Sequence, residues 1–150
     1  MADIKSPEER SRNMSMIRGE DTKPEVYIRK KLFERGFRYR KNAKYIIGHP
    51  DMWLSKYNTA VFVNGCYWHR HEGCKFAYTP KSRVDFWTAK FTENIRRDKL
   101  VQEELTKQGK RVLIIWECSI KNMRKSESFE KHVLIEIERF LNTEEILLEI

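Results

Sequence analysis

Residues 61–76 read VFVNGCYWHRHEGCKF. An apolar, β-favouring run ends at Gly65, two adjacent aromatics follow, and His69, His71, Glu72 and Cys74 fall within six positions. Imidazole and thiolate are good ligands for a borderline-soft metal, and an imidazole beside a hydrated metal can pass protons. An exposed aromatic pair can wedge between stacked bases and unstack them. A buried strand, an aromatic wedge and metal-competent side chains together suit the cleavage of nucleic acid.

Two metal chemistries are open. His71 and Cys74 form a close H-x-x-C pair, and Asp98 and Cys118 could complete a tetrahedral zinc set. Spacing alone is met as simply by a buried cysteine, a solvated aspartate and a surface histidine. Pro50-Asp51 places a carboxylate where a turn meets a strand. Magnesium takes hard oxygen ligands and keeps several waters, so one carboxylate, one backbone carbonyl and a nearby Glu25 would suffice. The plainer account is that Asp51 ends a turn and Glu25 caps its helix. His69 could act as general acid or base in phosphodiester hydrolysis. Tyr67 and Trp68 cannot both face a core.

These groups need elements to hold them. Ser6, Pro7, Glu8 and Glu9 open a helix that should stop at Gly19. Thr22-x-x-Glu25 is a capping box for a second helix, ending at Gly36. Phe37 and Tyr39 alternate with arginines, as in a strand. Residues 51–54 form a strand, 55–58 a turn, and 59–64 a buried central strand before Gly65. Ser82-x-x-Asp85 opens a long helix ending near Gln108, on which Trp87, Phe91 and Ile95 mark an apolar face; Trp87 is close enough to the start to protrude. Residues 111–118 read as a strand. Ser126 opens a last helix with Phe129, Val133, Ile137 and Phe140 on one face. The order ααβββαβα implies a central mixed sheet with helices on both sides.

A chain of 150 residues, 40% hydrophobic and 35% charged, can bury one core. No apolar run approaches the ~20 residues of a membrane span, and the first residues lack a signal-peptide pattern. Three cysteines suit metal ligation or burial better than a disulfide framework. The expected location is therefore cytoplasmic. The net charge is +8 and uneven: residues 1–45 carry thirteen Lys and Arg against seven Asp and Glu, residues 130–150 two against six. One face turned toward a polyanion would account for this, as would a basic, solvated surface. No repeat, linker or dimer signal is present, so the expectation is a monomer.

The ordered blocks RSRNMSMIRGEDTKPE, GHPDMW, VFVNGCYWHRHEGC, DFWTAKFTENIRRD and RVLIIWEC resemble the very short patch repair (Vsr) endonucleases, which nick DNA beside a T:G mismatch. The resemblance runs from about Ser11 to about Cys118. It implies an α/β fold with a PD-(D/E)xK restriction-endonuclease-like core, a central mixed β-sheet flanked by helices, and a structural zinc site. The single domain would comprise an N-terminal DNA-contacting helix (1–20), a core (21–120) and a C-terminal helix and tail (121–150).

The resemblance also implies roles. Asp51 and the main-chain carbonyl of Val63 would bind catalytic magnesium. Glu25 would hold metal-bound water, and His69 would assist hydrolysis. Structural zinc would sit on His71, Cys74, Asp98 and Cys118. Tyr67, Trp68 and Trp87 match the aromatics that enter the duplex, and Met14 and Ile17 match a segment reaching the other groove. Lys90 and Asn94 lie where relatives touch DNA near the mismatch. The partner would be mismatched double-stranded DNA, together with other mismatch-repair proteins.

The chain departs from the family at two places. Asn64 stands where the best-known members carry a second catalytic histidine, and asparagine cannot shuttle a proton near neutral pH. HRHEGC holds one extra residue between His71 and Cys74. The acid-x-lysine of PD-(D/E)xK enzymes is also missing from residues 61–64. Two rival functions follow: a related nickase or restriction-type nuclease of other specificity, and a zinc-stabilised mismatch-binding protein with impaired catalysis.

Overall fold

A computed structural model describes residues 21–150. The expected helix over 6–19, with Met14 and Ile17, lies outside the described residues. The described elements are α1 (Lys23–Glu34), β1 (Arg40–Lys41), β2 (Met52–Leu54), a 3-10 turn (Ser55–Tyr57), β3 (Thr59–Asn64), α2 (Val84–Lys107), β4 (Arg111–Trp116), α3 (Glu117–Lys125), α4 (Glu127–Leu141) and β5 (Leu147–Glu149).

The strands form one mixed sheet in the order β1-β2-β3-β4-β5. β1, β2 and β3 are antiparallel neighbours, and β3, β4 and β5 run parallel. A parallel pair needs a long crossover, which α2 supplies between β3 and β4. Both faces are covered. Val61, Leu113 and Ile115 point to one side, among Ile28, Leu32, Met123, Ile137 and Phe140 from α1, α3 and α4. Ala60, Val112 and Ile114 point to the other, under Leu105 of α2. This explains why β3 and β4 are apolar almost throughout instead of alternating.

Local signals set most boundaries. Thr22 caps α1, accepting the Glu25 N–H, and Gly36 takes the left-handed φ of +92° that ends it. Ser126 caps α4 by accepting the Phe129 N–H at 3.2 Å. The turn before β3 closes on Asn58 at φ +50°.

Four expectations are corrected. Phe37 and Tyr39 are not in a strand; Phe37 is buried and packs edge-on to Tyr57 at 5.5 Å, leaving a two-residue β1. Ser82 does not cap α2, which starts at Val84 after Arg83 in the left-handed region. The strand over 111–118 stops at Trp116, and Glu117 and Cys118 open α3, with an acid at its start and Arg124 and Lys125 at its end. Residues 121–150, expected as a helix and tail, hold that helix as α4, with five buried residues, and end not loosely but in β5, which pairs with β4.

α2 is unusual. Of its 24 residues only Phe91 and Leu105 are buried, and Ile95, expected on its apolar face, is 49% exposed.

Candidate active site and metal centre

Asp51 sits where the chain enters β2, beside the end of β3. Its Oδ2 accepts the Val63 N–H at 2.6 Å. Burial pushes its carboxyl up to about 7, against the pull of the Val63 N–H, and the neighbouring Glu25 carboxyl adds to the rise. Glu25 itself is buried. Its Oε2 accepts the Asp21 N–H at 2.7 Å and Arg29 Nη2 at 3.2 Å. The capping box thus reaches one residue further back than Thr22. Arg29 is buried too, and spends its other contacts on Asp21 and Asn42. Two carboxyls face one hollow: Glu25 is paired with Arg29, and Asp51, reluctant to ionise, adds further hard oxygen donors. That donor set fits a magnesium ion.

Asp51 and Glu25 open on a cavity of about 490 Å³, whose wall also includes Val63, Asn64, His69 and Glu117. His69 Nδ1 lies 2.6 Å from Asp98 Oδ2. The carboxylate holds the proton on Nδ1, so Nε2 is the nitrogen left for chemistry. Asn64, buried at the end of β3, lines the same cavity. Two further wall residues escaped sequence reasoning, His49 and Glu117. His49 has φ +48° in the loop that delivers Asp51; a non-glycine residue in that region was the only signal available, and it is conformational.

That loop is fixed by a close approach. A Cβ on Gly48 (φ +81°) would lie 2.4 Å from Val101 Cγ1. Gly48→Ala is therefore expected to cost about 1–3 kcal/mol, through the strained φ and the clash with α2. Thermal melting of the variant checks this; an unchanged midpoint would show that the loop gives way freely.

The second site is a candidate metal centre. One ligand atom each from Cys66, His71, Cys74 and Cys118 all lie within 4.8 Å of one another. Cys66 and Cys118 Sγ are 3.7 and 3.4 Å from His71 Nδ1, close to the roughly 3.5–3.8 Å edges of a tetrahedron with zinc-like bond lengths. Burial pushes the Cys66 thiol up to about 12, so it ionises only if a cation replaces its proton. Three thiols and an imidazole are a zinc donor set. The expected set named Asp98 where Cys66 stands; Asp98 is instead committed to His69. The loop reaches round by successive turns: His71 N bonds Cys66 O, and Cys74 N bonds His71 O. Gly73, between His71 and Cys74, turns the chain at φ +71°. Trp116 stacks on His71, ring centres 4.2 Å apart.

The aromatic trio is assembled and half-buried. Tyr67 lies 5.0 Å from Trp68 and 6.3 Å from Trp87, and Trp68 lies 5.9 Å from Trp87. Asn94 donates to the Trp68 carbonyl at 3.0 Å, which ties the wedge to α2. Lys90, one turn earlier, is exposed.

Comparison with known proteins places the sequence beside DNA endonucleases. Residues 2–75 match the family model described as DNA mismatch endonuclease Vsr. The type II nicking enzyme V.NmeAIP of Neisseria meningitidis serogroup A is 49% identical over 122 residues, 81% of this chain and 86% of its own. The type II nicking enzyme V.XorIIP of Xanthomonas oryzae is 35% identical over 134 residues, 89% of this chain and 98% of its own. The DNA mismatch endonuclease Vsr of Escherichia coli K12 is 34% identical over 125 residues, 83% of this chain and 80% of its own.

Proposed function

The chain belongs to the Vsr DNA mismatch endonuclease family, and on that premise we propose that it nicks one strand of duplex DNA beside a T:G mismatch, with magnesium as catalytic ion and zinc as structural ion. That it is a DNA endonuclease follows from its relatives. The observation that carries the finer reading is one cavity lined by Asp51, Glu25 and His69, with Asp98 bonded to His69 Nδ1, next to an aromatic cluster that can open a base step.

Asp51, with the Val63 carbonyl on the facing strand, would hold magnesium. Bound there, magnesium would polarise the scissile phosphate and make water a better nucleophile. Glu25, held by Arg29 and the Asp21 amide, orients that water. His69 Nε2 takes or gives the proton, with Asp98 fixing the ring. Asn64 offers a hydrogen bond to phosphate or water but no proton. The aromatics exploit the weak stacking of a mispair, which costs less to deform than a matched step. We read the β2–β3–β4 sheet, with Asp51 at its edge, as a variant PD-(D/E)xK core that lacks the acid-x-lysine pair. Zinc on Cys66, His71, Cys74 and Cys118 would pin the loop that carries His69. Its working place would be the bacterial cytoplasm, as a monomer; among the described residues no helix is long and apolar enough to cross a membrane.

Asp98→Asn is expected to lower the nicking rate about 10²–10⁴-fold by freeing the His69 ring, while zinc content stays at that of the unchanged chain. Single-turnover nicking and a zinc assay check both halves. An active variant would remove Asp98 from the mechanism.

The test of the whole reading is nicking of labelled duplexes, one with a single T:G pair and one fully matched, with and without magnesium. Magnesium-dependent nicking of the mispaired duplex alone supports it. A second reading, a nickase of other specificity, rests on the type II nicking enzymes among the relatives. It predicts nicking of both duplexes, or of neither T:G nor matched DNA but of another substrate in a panel. Mismatch binding without product would point to impaired catalysis.

A further inference from the structure

The aromatic cluster does not stop at three rings. Tyr78 lies 5.0 Å from Tyr67, tilted by 45°. Phe86 lies 5.2 Å from Trp87, edge-on at 80°. The rings therefore run in a row, Tyr78, Tyr67, Trp87, Phe86, with Phe91 buried 5.2 Å from Tyr67 and 5.8 Å from Trp87. The two outermost rings are also wide open: Tyr78 is 63% exposed and Phe86 47%.

Neither ring hangs loose. Arg70 donates to the carbonyls of Tyr67, Ala77 and Tyr78 at 3.2, 2.9 and 3.0 Å, and its guanidinium lies 4.0 Å over Phe91. One cation thus fastens Tyr78 to the wedge. At the other end the Arg83 guanidinium sits 4.2 Å over Phe86. A row of flat rings, half-buried in the middle and exposed at both ends, with guanidinium groups along it matches what takes unstacked bases beside a phosphate backbone. An apolar protein surface would complement the rings and leave the two arginines without anions.

We propose that Tyr78 and Phe86 are outer stacking platforms for the nucleobases on either side of the opened step, so that the protein grips bases over more than the mispair itself. This rests on the reading that Tyr67, Trp68 and Trp87 enter the duplex. Because every base has a stacking face, the two platforms add affinity and footprint without reading sequence.

The experiment uses the full chain and T:G duplexes carrying 5-iodouracil either at the opened step or one base pair beyond it on each side. Irradiation is in the presence of EDTA, and crosslinked residues are mapped by mass spectrometry. The expected result is a crosslink from the outer iodouracils to Tyr78 or Phe86, and from the inner ones to Tyr67, Trp68 or Trp87. Tyr78→Ala and Phe86→Ala should each bind the T:G duplex about tenfold more weakly at unchanged zinc content and melting temperature, and Tyr78→Phe should bind as the unchanged chain does. Inner crosslinks without outer ones would overturn the proposal and leave the wedge standing. So would alanine variants that lose stability but bind DNA as before, which would make the two rings mere shields. With no crosslink to any ring of the row, the wedge reading and the proposal fall together.

Discussion

An Asp51→Asn protein is expected to lose about 10³-fold or more in nicking rate and, in metal-free buffer at pH 8, to melt several degrees above the unchanged chain. The two effects have one cause. The Asp51 carboxyl is held near 7 in the folded protein, against an ordinary value of 3.8, chiefly because it is buried. Between those values the folded state binds a proton that the unfolded state releases. The folded form then holds more protons, so stability falls as pH rises from about 4 through about 7. At pH 8 the ionised carboxylate destabilises the metal-free fold, by on the order of 4 kcal/mol; at pH 4 it does not. Asparagine removes the charge at every pH. The difference in melting temperature should therefore open between pH 4 and pH 8, at roughly 2–4 °C per kcal/mol for a chain of this size. Nicking at limiting magnesium should likewise rise toward pH 7, since proton and cation compete for the same oxygens. A flat difference in melting temperature, or an active Asp51→Asn protein, would contradict this account of the site.

Cys66→Ser should be the most damaging single change outside that cavity. The loop between β3 and α2 carries three of the four metal ligands and, among the described residues, contains no helix or strand. Binding of structural zinc in small domains is worth about 10–16 kcal/mol at neutral pH, comparable to the whole stability of a domain this size. Losing one ligand of four is expected to release the ion, lower the melting temperature by well over ten degrees, and abolish nicking because His69 rides on the same loop. A strong chelator should do the same to the unchanged chain. Metal content and thermal melting, measured on Cys66→Ser beside Asp98→Asn, decide the ligand set. Full zinc in Cys66→Ser together with its loss in Asp98→Asn would restore the aspartate to the metal.

The fourth ligand also shows where reading a sequence stops. Cys66 follows directly on a strand-ending Asn-Gly and precedes two aromatics, so it looks like packing; only the succession of turns brings its thiol beside His71 and Cys74. The His69–Asp98 pair spans 29 residues and leaves no local trace. The place of Asp51 at the entry to β2, by contrast, was legible from Pro-Asp where a turn meets an apolar run. β3 matched its expected limits because a turn and Gly65 bound it on both sides. β4 overran because Glu117 and Cys118 continue its composition, and nothing in that composition marks a helix start without a side-chain cap. β5 was invisible for another reason. A three-residue strand at a sheet edge, with two of three residues exposed, has too little burial to impose a pattern.

Cys66 and Cys118 each stand two residues beyond the paired ends of their strands, Asn64 and Trp116. The ligand set is therefore sensitive to how β3 and β4 align. Pairing two parallel strands across a long crossover is a slow, non-local event during folding, and both strands are so uniformly apolar that a slip by two residues would keep the same faces inward. Such a slip would carry Cys118 several ångströms from Cys66 and leave its thiolate without the ion. Metal capture by the proposed ligand set would thus reward one alignment among several that the core would tolerate, and would act as a proofreading step for the strand pairing beneath the candidate site.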